Sequence, residues 1–205
     1  MKIPKHVRTA AELQAFLQQD KEYKDREQQQ LTEAEAQAAA RKVEVEGLEA
    51  ELRAANIRVD SFEDMNRKPD NFKAGFPIIL RHLECGEYSD LTKRDMAFVF
   101  ATKDANEYWN KLTALYESTR SSKTSPLFME GLAQALAASY REPEIEKLIE
   151  LSKDRRNGPT RMMLVYGLKR SRKIDVTELL IELADDPEIG KQVEEWLRER
   201  KISRP

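Results

Sequence analysis

Most of what makes a staple, a metal site or a β-sheet is scarce in this chain. Its 205 residues include one cysteine, Cys85, and two histidines, His6 and His82. A lone thiol cannot close an internal disulfide, and a metal site needs three or four ligands. Only 7 glycines and 8 prolines are present, too few turn-makers for a sandwich of many short strands. No stretch approaches the roughly 18 consecutive apolar residues that span a bilayer. The N-terminal Met1-Lys2-Ile3-Pro4-Lys5-His6 lacks the apolar core of a secretory signal. Charge of one sign is also missing: 35 basic side chains face 37 acidic ones, a formal net charge of -2, which removes the simplest electrostatic case for a nucleic-acid binder. The expectation is a cytoplasmic all-α protein with no membrane contact, no metal and no cofactor.

What is present is charge on helix-forming sequence. Charged residues make up 35% and hydrophobic ones 40%, a balance that suits surface-charged helices. From Thr9 to Asn56 there is no proline and one glycine, Gly47. Thr9-x-x-Glu12 reads as a capping box that opens a helix. A second match, Thr32-x-x-Glu35, marks either a break between two helices or a chance occurrence inside one. Leu31, Ala38, Val45 and Leu52 recur every seven residues, with Ala34, Leu48 and Ala55 offset by three, giving residues 31–60 one apolar face that should dock on the rest. Between Gln18 and Gln30 the only apolar side chain is Tyr23, so residues 1–30 read as a polar helical arm, solvated or supported by a second copy in a homodimer.

Beyond residue 60 the apolar runs become short and periodic. Leu148-Ile149-Glu150-Leu151 is echoed 32 residues later by Leu180-Ile181-Glu182-Leu183, and the same shift carries Gly158 onto Gly190, Leu164 onto Trp196 and Leu136 onto Leu168. A shift of 36 brings Lys111-Leu112 onto Lys147-Leu148 and Met96, Ala97 and Phe100 onto Leu132, Ala133 and Leu136; the difference falls in the Ser/Thr-rich stretch 118–125. Each unit then holds two helices, one set near 91–103, 126–139, 159–170 and 190–201, the alternating set near 76–84, 105–118, 143–153 and 176–184. Ser125, Glu142 and Gly158 precede prolines placed in first turns, where the missing amide costs nothing, and Asp104 and Asp175 stand where caps belong. One helix pair cannot hide its own apolar stripe, so the pairs must stack. The predicted fold is a short right-handed α-solenoid over residues 61–205, preceded by the arm and the amphipathic helix.

These residues resemble HEAT-type repeats of the short, phycobilin-lyase-like variety. The run from Glu51-Leu52-Arg53-Ala54-Ala55-Asn56-Ile57 to Asn66, with Phe76-Pro77-Ile78-Ile79-Leu80-Arg81-His82-Leu83, is similar to a group of uncharacterised bacterial HEAT-repeat proteins. The resemblance covers roughly residues 48–200. It implies a helical-hairpin fold and a binding habit, and it supplies no catalytic motif.

The strongest local signal is basic. Residues 153–173 hold Lys153, Arg155, Arg156, Arg161, Lys169, Arg170, Arg172 and Lys173 against Asp154 alone. Either these form a surface for an acidic partner or a phosphate backbone, or they are offset by Asp175, Glu178, Glu182, Asp185, Asp186 and Glu188 on the next unit. Among aromatic residues, Tyr108, Trp109, Tyr140 and Tyr166 are the least constrained by the repeat alignment, and such side chains dominate binding hot spots; core packing is the favoured reading of them, an exposed anchor the second. His82 and Cys85, at i and i+3, share a helix face but lack further ligands. The expected function is a non-catalytic protein-interaction module gripping a protein partner on a concave face, with Arg155, Arg156, Arg161, Arg170, Arg172, Tyr108, Trp109, Tyr140 and Tyr166 as candidate contacts. The alternative is a nucleic-acid binder using the segment 153–173. A lyase-like enzyme, resting on fold analogy alone, ranks last.

Overall fold

A computed structural model of the chain describes residues 9–17, 21–59, 69–122, 126–171 and 175–201. Among them all regular structure is helical, with no strand, and no described helix is long and apolar enough to cross a membrane. The contacts divide the chain into two units, Met1–Glu46 and Gly47–Pro205.

The first unit is built from α1 (Ala10–Leu17) and most of α2 (Lys21–Ala54). The Thr9 box forms as read: the Thr9 amide donates to Glu12 Oε2 at 3.0 Å and the Glu12 amide to Thr9 Oγ1 at 3.2 Å. The Thr32 match is the chance one. Thr32 lies inside unbroken α2 and its hydroxyl donates back to the Gln28 carbonyl at 2.9 Å. In the predicted heptad, Leu31 is 53% exposed and burial begins only at Val45, followed by Leu48 and Leu52. The upstream part of α2 is carried by its own i, i+4 contacts, such as Gln29 to Glu33 at 2.8 Å.

In the second unit, α2 ends on Asn56 with φ 58°, and the Ile57 amide reaches back to the Leu52 carbonyl at 2.9 Å. This left-handed stop satisfies an orphan carbonyl and turns Ile57 inward. There follow α3 (Phe76–Cys85), α4 (Asp90–Phe98), α5 (Trp109–Ser122), α6 (Pro126–Ser139), α7 (Ile145–Lys153), α8 (Arg161–Arg170), α9 (Thr177–Leu183) and α10 (Gly190–Glu199). Each lies within the span expected from the repeat or shifts by a few residues at an end. Pro143 and Pro159, read as first-turn residues of α-helices, sit instead in 3-10 turns, Glu142–Glu144 and Arg155–Thr160, that lead into α7 and α8. Asp175 caps as expected, accepting from the Thr177 amide at 2.9 Å. Asp104 does not cap: it lies inside the 3-10 turn Lys103–Tyr108 and its Oδ2 meets Lys73 Nζ at 2.5 Å. Ser125 lies outside the described residues.

Packing follows one scheme. Successive helices pair, α5 on α6, α7 on α8 and α9 on α10, while α6 packs on both α4 and α8. Side chains join α8 to α10, where the Tyr166 and Trp196 rings lie 5.9 Å apart. Close approach along this row depends on small residues. A Cβ at Gly131 would sit 2.5 Å from the Arg94 carbonyl oxygen, and one at Gly167 would sit 2.7 Å from that of Ala137. Leu112, Leu132, Leu136, Leu148, Leu164, Leu168 and Leu180 are fully buried between the pairs, as the repeat alignment requires. Polar ties lock the stack: Trp109 Nε1 donates to the Leu136 carbonyl at 3.3 Å, and the Tyr116 hydroxyl, whose pKa burial raises to about 12, lies 2.8 Å from that of Thr160.

Candidate partner-binding groove

The cations of 153–173 are sorted by α8, whose ten residues separate its two ends by about 15 Å at 1.5 Å per residue. At its N-terminal end nearly every cation is already matched. Arg156 forms a fork on Asp154, Nε to Oδ1 at 2.9 Å and Nη2 to Oδ2 at 2.7 Å. Arg120 reaches the same carboxylate at 2.9 Å. The Arg156 hydrogen bonds hold the Asp154 carboxyl at about 2, against the opposing pull of burial. Lys153 pairs with Glu182, and Arg155 Nε stands 3.3 Å from Asp186 Oδ2.

Arg161 is the centre of this end. It is fully buried, and its guanidinium grips Asp186 with both Nη atoms at 2.9 Å, Glu188 at 2.8 Å and, through Nε, the Gly158 carbonyl at 2.9 Å. Burial works against its charge, but the bonds to Asp186 and Glu188 outweigh that and raise its pKa. Asp186 is held well below the usual carboxylate range, chiefly by Arg161 and further by the amides of Glu188 and Ile189 at 3.0 and 3.2 Å. Gly158 reaches this geometry with φ 57° and ψ -150°, a region open almost only to glycine.

The other end of α8 is open. Here a groove of about 1400 Å³ runs along the face shared by α6, α8 and α10, bounded by residues 101–103 after α4 and by the turn 140–143. Its floor is made of small side chains, Ala137, Ala138 and Gly167. Its lining also includes Tyr140, Tyr166, Met162, Met163, Gln134, Gln192 and the largely buried Trp196. The Tyr140 hydroxyl donates to the Gly167 carbonyl at 3.4 Å. Tyr166 is 47% exposed, with the Arg170 guanidinium 5.6 Å above its ring. Lys169 is used up, its Nζ 4.8 Å over Trp196 and 2.9 Å from Glu199 Oε2.

Of the nine candidate contacts, the structure brings three together on this groove: Tyr140, Tyr166 and Arg170. Arg155 and Arg156 are exposed but lie at the far end of α8 on their own carboxylates. Two assignments are corrected. Arg161, read as a contact residue, is inaccessible and belongs to a buried ion cluster; Trp109, 3% exposed, is core. Tyr108 is half-buried in an aromatic cluster with Phe76 and Phe100 at 5.7 and 5.8 Å. Arg172 lies outside the described residues. Sequence reasoning missed Met162, Met163, Lys103, Arg141 and Trp196 as groove residues. The shift of 32 carries Gln134 onto Tyr166, which links two of the lining residues, but no repeat register marks Met162, Met163, Lys103 or Arg141.

His82 is held from both sides, Nδ1 2.5 Å from the Tyr88 hydroxyl and Nε2 2.9 Å from Glu51 Oε2. Its hydrogen bond is the first cause of the lowered Glu51 pKa. Cys85 beside it is exposed. Among the described residues no group of three or more His, Cys, Asp or Glu side chains is placed to hold a metal ion. Compared with protein-family models, curated proteins and solved structures, the chain shows no significant match.

Proposed function

We propose that this chain is a non-catalytic protein-interaction module, a short right-handed HEAT-like solenoid that holds a segment of a protein partner in the groove between Tyr140, Tyr166 and Arg170. The observation that carries the reading is the size and lining of that groove. At about 1400 Å³ it exceeds the roughly 300–1,000 Å³ typical of small-molecule clefts. Its walls join aromatic rings, two adaptable thioethers and an exposed arginine, the side chains that supply binding energy at protein interfaces. The row of helices that lines it takes one helix from each pair, as the inner face of a solenoid would. A reducing, cytoplasmic setting accords with the exposed Cys85 thiol.

The nucleic-acid alternative loses ground here. Its cations do not form one wall: Arg155, Arg156 and Arg161 are matched by carboxylates at one end of α8, and Arg170 stands at the other. A homodimer through the N-terminal helices is a separate proposal, supported by the exposed Leu31 and Val43. It predicts that sedimentation separates the full chain from one lacking residues 1–30; identical monomer behaviour ends it.

The groove reading is tested by a photo-cross-linking residue placed at Tyr166, with one at the exposed Lys111 as control, in the cells that make the protein. Protein adducts at 166 that are absent at 111 are expected. Equal adducts at both positions, or none at 166, remove the groove as the binding surface.

A further inference from the structure

The cations of the groove differ from the other described cations of the segment 153–173 in forming no side-chain ion pair with a carboxylate. Lys153, Arg155, Arg156, Arg161 and Lys169 each have an acidic partner. The side-chain cations of Lys103, Arg141 and Arg170, which line the groove, form no ion pair among the described residues, although the Glu144 carboxylate accepts from the Arg141 backbone amide at 2.7 Å. All three are exposed, and the one acidic side chain on the same lining is Glu142. The three come from three different parts of the fold: the turn after α4, the turn after α6 and the last residue of α8. Tertiary packing therefore gathers onto one rim a net positive charge that no single sequence segment displays. Inside that rim the lining is mostly apolar, with Met162, Met163 and Ile145 beside the aromatic rings and with Gln134 and Gln192 as its amide side chains.

A rim of unmatched cations around an apolar floor selects for the complementary pattern, carboxylates flanking an apolar anchor. Arg170 is suited to this part. Its guanidinium is stationed over Tyr166, and a stacked arginine keeps the N–H edge of its planar fork available for bidentate contact with a carboxylate. The thioethers of Met162 and Met163 can repack around an aliphatic or aromatic anchor without demanding one shape. We infer that the occupant of the groove is an acidic peptide segment of a partner protein, with an aliphatic or aromatic anchor seated between Tyr140, Tyr166 and Met163 and with flanking Asp or Glu side chains on Lys103, Arg141 and Arg170. This rests on the groove reading above and adds the chemistry of the partner to it.

The test is a selection of random twelve-residue peptides over the immobilised full chain, run in parallel on the Tyr166→Ala chain and on an Arg141→Glu/Arg170→Glu chain. The expected result is a pool enriched in Asp and Glu around one or two large apolar residues, lost on Tyr166→Ala. Measured by fluorescence anisotropy, the best selected peptide should bind the double variant at least about tenfold more weakly, and its affinity for the parent chain should fall as salt rises from 50 to 500 mM. Selection on the double variant itself should turn toward Lys- and Arg-bearing peptides. That reversal also shows the variant to be folded. A pool lost on Tyr166→Ala yet neutral or basic in composition overturns the acidic occupant and leaves the groove standing. A pool that does not distinguish the parent chain from Tyr166→Ala overturns both.

Discussion

The two ends of α8 carry the same kind of residue and put it to opposite uses. At the N-terminal end Arg161 is sealed inside the protein with Asp186 and Glu188; at the C-terminal end Arg170 stands in the open over Tyr166. The difference arises outside α8. The turn between α9 and α10 brings two carboxylates to one end, whereas the α6–α8–α10 face brings rings, small side chains and further cations to the other. A charged residue is thus structural or available according to what the neighbouring hairpin delivers, and its own position in a basic run says neither.

The contrast is broken most severely at Arg161. Replacing it with Met strips the buried Asp186 carboxylate of its two-pronged partner and leaves it only the exposed Arg155 and the amides of Glu188 and Ile189; removing one member of a buried pair costs about 3–5 kcal/mol. Urea denaturation should register that loss. A variant within about 1 kcal/mol of the parent would mean that Asp186 finds another way to be satisfied. Next comes the row on which the groove is built. Gly131→Ala drives a methyl group against the Arg94 carbonyl and should cost about 1–3 kcal/mol by overpacking, visible as a lower thermal midpoint.

A smaller effect follows from Asp154. Its folded-state pKa of about 2 lies below the ordinary value of 3.8. The carboxylate form is therefore the one that favours folding. Its contribution is complete above pH 4 and is lost as pH falls from about 4 to about 2. A carboxyl NMR titration should place the midpoint near 2, and Arg156→Ala should move it back toward the ordinary value; no movement would show that the fork is not its cause. The smallest effect is expected at the open end. Arg141→Glu and Arg170→Glu, both at exposed positions, should change stability by less than about 0.5 kcal/mol. If either unfolds the chain, that end is as structural as the other and the contrast disappears.

Much of this was visible before any coordinates. The shifts of 32 and 36 residues pointed to paired helices because a hairpin with one apolar stripe must bury it on a neighbour, and successive helices do pair. Leu136 and Leu168, matched by the shift, are both fully buried. The Thr9 box was legible because capping is local, three residues from donor to acceptor. The same pattern at Thr32 allowed two readings, and the chance one holds because the continuing helix leaves no free amide to cap. Leu31 did mislead: the heptad continues upstream of Val45, but periodicity cannot say whether a surface exists to receive it.

By itself, then, the amino-acid order determined the helical class, the pairing of helices and the leucines between them, since all of these follow from short-range propensity and from a pattern that recurs at fixed spacing. Only tertiary structure decided that Arg161 meets Asp186, that Trp109 is core, and that Lys103, Arg141 and Arg170 share a rim. Such meetings join residues 25 or more positions apart, with no period linking them, and charge carries no mark in the sequence of which opposite charge will arrive beside it.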